Sequence, residues 1–387
     1  MSLFSSKIKL GVIGRKNTFK VLKESLSNNE NTLWFHCASL GEYEQGYPLF
    51  IELKKNYPDI KIVLSFFSPS GYEVKKKSSI ADIVVYLPLD KLSNCKKFIN
   101  LINPILVVFV KSEIWPNYLK EIKDRNIKSI LVSAIFNPSH LNYTILKKAA
   151  AKFDYIFTQD EDSKSRFESI GHKNVVNAGD TRYDRVLLAK KSNKDIGYIE
   201  SFLNDTNCLV VGSSWEKDHE IIVKHINNSK INFKYIIAPH EINVDKIKEL
   251  QKNIKPKSIL FSNISKENIK SAKVIIIDNI GILSKLYKYA TIAYVGGGFN
   301  GEGKLHNTLE PAVFGVPIII GKYFNKFPEA IGMINIGGMF SISNYREFEL
   351  TITHLNKEKN LLKTGLINSN FINNKVGATE LILQHLK

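Results

Sequence analysis

An alternation that runs from end to end most limits what this 387-residue chain can fold into. Short apolar, β-branched runs are separated by amphipathic helical stretches. In the first half the runs are TLWFH, IKIVLSF, DIVVYLP, PILVVFV, KSILVSA, DYIFT and NVVNAG; in the second they are NCLVVGS, FKYIIAPH, SILFS, KVIIID, TIAYVGG and VPIIIG. Such spacing marks βαβ units, and unbroken apolar runs mark parallel strands buried on both faces. Roughly thirteen strands exceed what one open sheet usually holds, so two doubly wound sheets are expected. The break falls in VLLAKKSNKDIGYIESFLNDT, a polar, Lys- and Asn-rich connector with helical character, before a new strand opens at Cys208. The expected organisation is a Rossmann-like domain over residues 1–185, a linker over 186–206 and a second Rossmann-like domain over 207–387. The last amphipathic helix, VGATELILQHL, has either domain to pack against. Two such domains face a central cleft with the carboxyl ends of their strands, where open parallel sheets bind ligands.

Composition narrows the ligand class. Formal net charge is +17, from 54 basic and 37 acidic residues. One explanation is an anionic partner: nucleic acid, a phospholipid surface or a phosphorylated substrate. The other is drift toward Lys, Asn and Ile throughout the chain. Cys37, Cys95 and Cys208 are widely spaced and form no C-x-x-C, which points to a reducing compartment and away from zinc sites or disulfides. No apolar run approaches the ~18–20 residues that span a bilayer. The first residues carry no long apolar core and no small-residue cleavage site, so no signal peptide is expected.

Candidate chemistry lies just after the apolar runs. In HCASLGEYEQG, Glu42 and Glu44 fall at a strand-to-helix turn. Glu42 stands either as a reactive carboxylate or as the partner of Ser39 in an S-x-x-E capping box; Glu44 points to a different helix face. In LVVFVKSEIWPNYL, Lys111, Ser112 and Glu113 follow a buried strand directly, and a carboxylate there needs a base or a ligand. LSFFSPSGYEVKKK adds a turn at Ser68, either phosphate- or lipid-facing or simply the start of a solvated helix. In the second half, Gly212, Ser213 and Ser214 end a strand, as a phosphate-directed turn or with a serine as N-cap. Pro239, His240 and Glu241 end the next strand. Gly296, Gly297 and Gly298 allow backbone N–H groups to approach a phosphate, and His306, Asn307 and Glu310 follow. NTLEPAVFG reads as a short helix whose start suits an anion, with Asn307 and Glu310 facing a ribose. The D-x-D of QDEDSKSRF reads as a helix start and not as a metal site. In GDTRYDRV, Arg182 and Arg185 line the cleft or pair with Asp180 and Asp184. No cluster has metal-ligand spacing.

Together, HCASLGE, SFFSPSGYE, YLPLD, VKSEIWPN, GSSWEKDHE and VGGGFNGEGKLHNTLEPAVFGVPIIIG, followed by Asn325 and Glu329, resemble the 3-deoxy-D-manno-octulosonic acid (Kdo) transferases of lipopolysaccharide synthesis. The resemblance spans most of the chain. It implies an α/β GT-B glycosyltransferase fold and an inverting, metal-independent transfer of Kdo from CMP-Kdo to a lipid A precursor. CMP-Kdo is then a co-substrate, and no cofactor is expected. The resemblance implies Glu42 as general base and Glu113 as a second important carboxylate, with Ser39, Gly41, Ser68 and Lys111 toward the acceptor. It implies donor binding by Gly212, Ser213, Ser214, Pro239, His240, Gly296, Gly297, Gly298, His306, Asn307 and Glu310. Expected partners are CMP-Kdo, the lipid A precursor and an anionic membrane surface facing Lys7, Lys9, Arg15 and Lys16, with no nucleic acid. The expected location is the cytoplasmic face of the bacterial inner membrane, held peripherally or by an N-terminal anchor outside this chain. Two positions depart from the family pattern. Pro239-His240-Glu241 stands where members have an Arg-His pair, and Lys111 replaces an acidic residue. The alternatives are another GT-B transferase using a nucleoside-diphosphate sugar, and a basic nucleic-acid-binding protein, for which no compact motif is present.

Overall fold

The computed structural model describes residues 2–136 and 144–386, with backbone alone for residues 2–7. The chain forms two compact units. The first runs to Arg185 and takes back the residues from Lys375 onward; the second is Val186–Asn374.

In the first unit, β1 (Thr32–Cys37), β2 (Lys61–Phe66), β3 (Ile83–Tyr86), β4 (Pro104–Val110), β5 (Lys128–Ala134), β6 (Tyr155–Thr158) and β7 (Val175–Asn177) form one sheet. Their order is β3-β2-β1-β4-β5-β6-β7, and every pairing is parallel. The second unit repeats the plan with β8 (Cys208–Ser214), β9 (Lys234–Pro239), β10 (Ser258–Leu260), β11 (Val274–Ile276), β12 (Ile292–Val295), β13 (Ile318–Gly321) and β14 (Met339–Ile342). Its order is β10-β11-β9-β8-β12-β13-β14, again wholly parallel. In each sheet the chain starts in the middle, builds to one side, then returns and builds to the other. The switch points lie between β1 and β4 and between β8 and β12, where such sheets open a crevice beyond the strand ends.

The continuous apolar runs are explained by burial on both faces. Trp34, Val63, Val107 and Phe109 pack on one face of the first sheet. Leu33, Phe35, Leu64 and Val108 pack on the other. In the second sheet, Leu209, Val211 and Ile237 are separated in the same way from Val210, Ile236 and Ala293. The period of two along a strand sends neighbours to opposite sides, and helices cover both. Ahead of β1, a helix spans Ser2–Ser25 and is anchored by Leu22 in the core and by the Thr18 hydroxyl donating to the Tyr86 carbonyl at 2.7 Å. No helix among the described residues is long and apolar enough to cross a membrane. The three cysteines are free and buried.

Two details differ from the sequence reading, and a third was left open by it. The segment read as a linker carries the helices Thr181–Lys191 and Gly197–Leu203, and Ile199 and Phe202 are fully buried in the second unit's core. Its polar residues mask a helix with one apolar face. Strand β14 follows no apolar run, because half of its residues are only partly buried at the sheet edge. The last helix, Ala378–Gln384, belongs to the first unit. Asp184 accepts hydrogen bonds from the Gly377 and Thr379 backbone N–H groups at 2.7 and 2.8 Å, and Ile382 enters that unit's core.

A core role for the former linker has a measurable signature. Phe202→Ala should destabilise the second unit by about 3–5 kcal/mol in denaturant unfolding, the range for a buried aromatic. A solvated linker residue would change it by less than about 0.5 kcal/mol.

Candidate functional site

At the first switch point, three loops leave β1, β2 and β4 side by side. The helix Leu40–Asn56 starts right after β1, with Ser39 as N-cap accepting from the exposed Gly41 N–H at 3.2 Å. Glu42 does not close the capping box on the Ser39 backbone. Its Oε2 accepts a short hydrogen bond from the Ser39 hydroxyl, and its Oε1 lies 3.9 Å from Lys111 Nζ. The carboxylate keeps 17% side-chain exposure, enough for a substrate to reach it. Lys111 follows β4 with φ +69°, a left-handed backbone that turns the chain sharply at the strand end, and its N–H is tied to the Val132 carbonyl at 2.8 Å. Ser68, after β2, caps the helix Pro69–Lys75, and its own N–H donates to the Ala38 carbonyl at 2.8 Å, joining this loop to the one after β1.

Glu113 and Lys111 have separate partners. Lys111 pairs with Glu42, while Glu113 Oε2 sits 3.1 Å from His36 Nε2 and accepts from Trp115 Nε1 at 2.9 Å. His36 is fully buried at the end of β1, and its Nδ1 lies 2.9 Å from the Ser65 hydroxyl, which also accepts from Trp34 Nε1 at 2.7 Å. The His36 imidazole and the Trp115 indole therefore converge on one carboxylate oxygen of Glu113. His36, Ser65 and Trp115 were not among the expected site residues. The signal for His36 and Ser65 is the strand period: His36 lies two residues after Trp34, so both fall on one face of β1, and Ser65 stands opposite His36 on β2.

The other carboxylates singled out in this unit, Glu44, Asp160, Asp162, Asp180 and Asp184, are engaged within the protein. Burial would raise the Glu44 carboxyl, but Arg185 at 2.8 Å and Lys75 at 2.9 Å outweigh it and hold it below the usual range. Arg182 pairs with Asp180 at 2.7 Å, and Asp184 holds the last helix. In the D-x-D, Asp160 caps its helix by accepting from the Ser163 N–H at 2.7 Å, and Asp162 pairs with Arg166 at 2.7 Å.

At the second switch point, two of the three glycines have their N–H groups bonded within the protein. All three glycines are buried. The Gly296 N–H donates to the Gly212 carbonyl at 2.9 Å and the Gly297 N–H to Asp218 Oδ2 at 3.1 Å. A Cβ on Gly296 would lie 2.4 Å from the Ser213 carbonyl oxygen, and one on Gly298 would lie 2.7 Å from the Gly321 nitrogen. The run is glycine because β8, β12 and β13 bring their backbones too close for side chains. Gly212 is glycine for a related reason, since the Tyr287 hydroxyl occupies the place of its Cβ.

Neither serine after β8 is the helix cap. Trp215 is the N-cap of Glu216–Asn228, and its N–H donates to Asp218 Oδ2 at 2.8 Å. Ser214 Oγ bonds His219 Nε2 at 2.9 Å. Ser213 takes a left-handed φ of +52° and faces a pocket of about 280 Å³ with Gly281, Leu283, Ser284, Tyr287, His306, Asn307 and Glu310. Asn307 and Glu310 are joined at 3.2 Å, and Asn307 Oδ1 accepts from the Leu309 N–H at 3.1 Å. The helix there is four residues long, Leu309–Ala312, and its first N–H is already held. Pro239, His240 and Ser214 line a separate hollow of about 600 Å³ between the helices Glu216–Asn228 and Val244–Asn253. His240 stacks on Trp215 with ring centroids 4.2 Å apart, and Trp215 donates through Nε1 to His306 Nε2 at 3.1 Å.

Burial governs the titrating groups here. It pushes the Asp218 carboxyl up, against hydrogen bonds from the Tyr294 hydroxyl and two backbone N–H groups. It pushes the Tyr287 hydroxyl well above its ordinary range, with Glu310 adding to the effect. Desolvation lowers His219 to about 4, and desolvation together with His240 lowers His306 to about 4. Asp218 and Trp215 were not among the expected site residues; the sequence pointed to a serine as the cap, and the helix starts one residue later. Among the described residues, no group of three or more His, Cys, Asp or Glu is placed to hold a metal ion.

A family model described as 3-deoxy-D-manno-octulosonic-acid transferase (kdotransferase) matches residues 14–185. The chain is 32% identical over 346 residues to the 3-deoxy-D-manno-octulosonic acid transferase of Aquifex aeolicus, covering 88% of this chain and 90% of that protein. It is 31% identical over 375 residues to a bifunctional glycosyltransferase/methyltransferase of Fusobacterium nucleatum, covering 92% of this chain and 57% of the longer protein. Among solved structures, UDP-GlcNAc 2-epimerase of Neisseria meningitidis superposes with a TM-score of 0.62 at 15% identity, over 92% of this chain and 99% of that one. MurG of Acinetobacter baumannii gives 0.57 at 10% identity, over 92% and 98%. At those identities the likeness is one of fold, and the fold is GT-B.

The two depressed histidines give a pH dependence. Unfolded, each takes up a proton as pH falls through about 6.5; folded, each stays neutral until about 4. Their contribution is thus complete above about 6.5 and is lost as pH drops toward about 4. The urea midpoint of the second unit should fall between about pH 7 and pH 5, and less steeply in the His219→Asn variant.

Proposed function

Because the chain belongs to the 3-deoxy-D-manno-octulosonic acid transferase family and is a glycosyltransferase, we propose that it moves Kdo from CMP-Kdo to a lipid A precursor of the lipid IVA kind, with inversion and without a metal ion. The observation that carries this reading is Glu42 at the first switch point, partly exposed and held by Ser39 and Lys111. In the proposed reaction the acceptor hydroxyl gives its proton to Glu42 as its oxygen bonds the anomeric carbon. The bond from that carbon to the phosphate oxygen breaks, and CMP leaves as an anion. Lys111 offers a cation to an acceptor phosphate. Glu113, fixed by His36 and Trp115, keeps one oxygen for orienting the sugar hydroxyls. Ser213, His306, Asn307 and Glu310 line the pocket we assign to the nucleotide, with Gly212 and Gly296–Gly298 shaping it by close packing. Ser214, Pro239 and His240 support it from the neighbouring hollow.

The +17 charge suits a phosphorylated acceptor and a nucleotide donor. The first helix supports contact with an anionic membrane surface, on the cytoplasmic face of the inner membrane in our proposal. Ile8, Leu10, Val12 and Ile13 are exposed beside the exposed Lys9 and Lys16. Arg15 is turned inward instead, donating to the Phe67 and Leu87 carbonyls. The side chain of Lys7 lies outside the described residues.

One incubation with CMP-Kdo and a lipid A precursor, read by mass spectrometry, tests reaction and acceptor together. Turnover of UDP- or GDP-sugars with none from CMP-Kdo would reject the assignment. Glu42→Gln should cut the transfer rate by roughly 10²–10⁴-fold while CMP binding survives; near-normal turnover would remove Glu42 as base. Glu310→Ala should weaken CMP binding measured by calorimetry by about tenfold, as expected for a lost hydrogen bond to a ribose hydroxyl.

A further inference from the structure

We propose that Trp215 is a positioning residue of the donor site, whose indole N–H fixes the His306 tautomer so that the imidazole presents Nδ1–H to the nucleotide phosphate. The assignment of a nucleotide phosphate rests on the function proposed above; the tautomer does not. An indole nitrogen donates and never accepts, and Trp215 Nε1 lies 3.1 Å from His306 Nε2. Nε2 must therefore carry the lone pair. A neutral imidazole has one N–H, so the proton sits on Nδ1. A doubly protonated ring would set two N–H groups against each other at that distance. Burial and the neighbouring His240 ring, 4.5 Å away, also disfavour the cation.

Both partners are held, so the contact is built into the site. The Trp215 backbone N–H is fixed on Asp218 Oδ2 at 2.8 Å, and its ring stacks on His240 at 4.2 Å with an interplanar angle of 15°. Asp218 is itself fully buried and also takes the Gly297 N–H at 3.1 Å and the Tyr294 hydroxyl at 2.6 Å. That carboxylate ties the helix start after β8 to the glycine turn after β12. His306 is pinned from the same turn, its N–H donating to the Gly296 carbonyl at 3.2 Å. A Cβ on Gly297 would lie 3.2 Å from His306 Cδ2, so the ring also packs on that glycine. His306 lines the small pocket with Ser213, Asn307 and Glu310. Its ring N–H is then a neutral, directed donor beside a helix start whose first N–H, that of Leu309, is already held by Asn307. Anion recognition here depends on orientation and not on a histidine charge.

Long-range proton–nitrogen correlation spectra of the nitrogen-15-labelled protein read the tautomer directly. The wild type should show His306 neutral with Nδ1–H between about pH 6 and pH 8. Trp215→Phe keeps a ring to stack on His240 and removes the indole N–H. It should shift His306 toward Nε2–H, raise the CMP dissociation constant about tenfold and raise KM for CMP-Kdo while leaving the acceptor KM unchanged. His306→Asn sets an amide near the place of Nδ1 and should retain more CMP affinity than His306→Gln, whose amide reaches the place of Nε2. A wild-type Nε2–H or doubly protonated ring, an unmoved tautomer in W215F, or H306Q binding better than H306N would overturn the proposal. Wild-type protein with the Nδ1–H tautomer but no CMP affinity would overturn the nucleotide assignment instead and leave the tautomer standing.

Discussion

Parallel pairing is the constraint from which the rest of this structure follows. A parallel strand cannot reach its neighbour through a hairpin, so each connection crosses over and most carry a helix. All carboxyl ends of a sheet therefore fall on one edge, and the loops leaving them are neighbours in space while distant in sequence. In the first unit this sets Glu42 beside Lys111, and His36 beside Glu113. In the second it sets Trp215 and Asp218 beside Gly297 and His306. Each pairing spans a switch point, where the two neighbouring connections run to opposite sides and leave room for a ligand.

The cost of crowding so many backbones at one edge is met by glycine. Gly296, Gly297 and Gly298 look like a phosphate loop, yet two of their N–H groups are bonded within the protein and all three are buried. They let strand ends approach closely, and that approach lets the single Asp218 carboxylate hold both loops. A carboxylate with no basic partner is expensive to bury, and three hydrogen bonds from neutral donors offset that here. The site's rigidity thus depends on a charge that never meets substrate.

Much of the fold was legible in the sequence, because burial on both faces writes each strand as an apolar run. β14 escaped because it is half-covered at an edge, and the connector read as helical but solvated, because polar neighbours surround the core residues Ile199 and Phe202. Candidate site residues stood out in the sequence where an unusual type follows a strand end, as with Glu42, Glu113, His306 and Glu310. Partners were not. Lys111 stood next to Glu113 in sequence but pairs with Glu42, since its left-handed backbone turns the strand end away. Ser213 and Ser214 suited a helix cap, but the helix begins one residue later and Asp218 holds its start.

The sequence by itself determined two doubly wound parallel sheets, the positions of their strand ends and the residue types that stand there. Local pattern suffices for this, because hydrophobic period and turn chemistry are properties of neighbours along the chain. Only the tertiary structure decided which group each of those residues meets. It left the Glu42 carboxylate between Ser39 and Lys111, gave Glu113 to His36, and placed an indole N–H against one nitrogen of His306. Hydrogen bonds are short and directional, so they depend on ångström-scale placement of segments up to about a hundred residues apart, which no local pattern encodes.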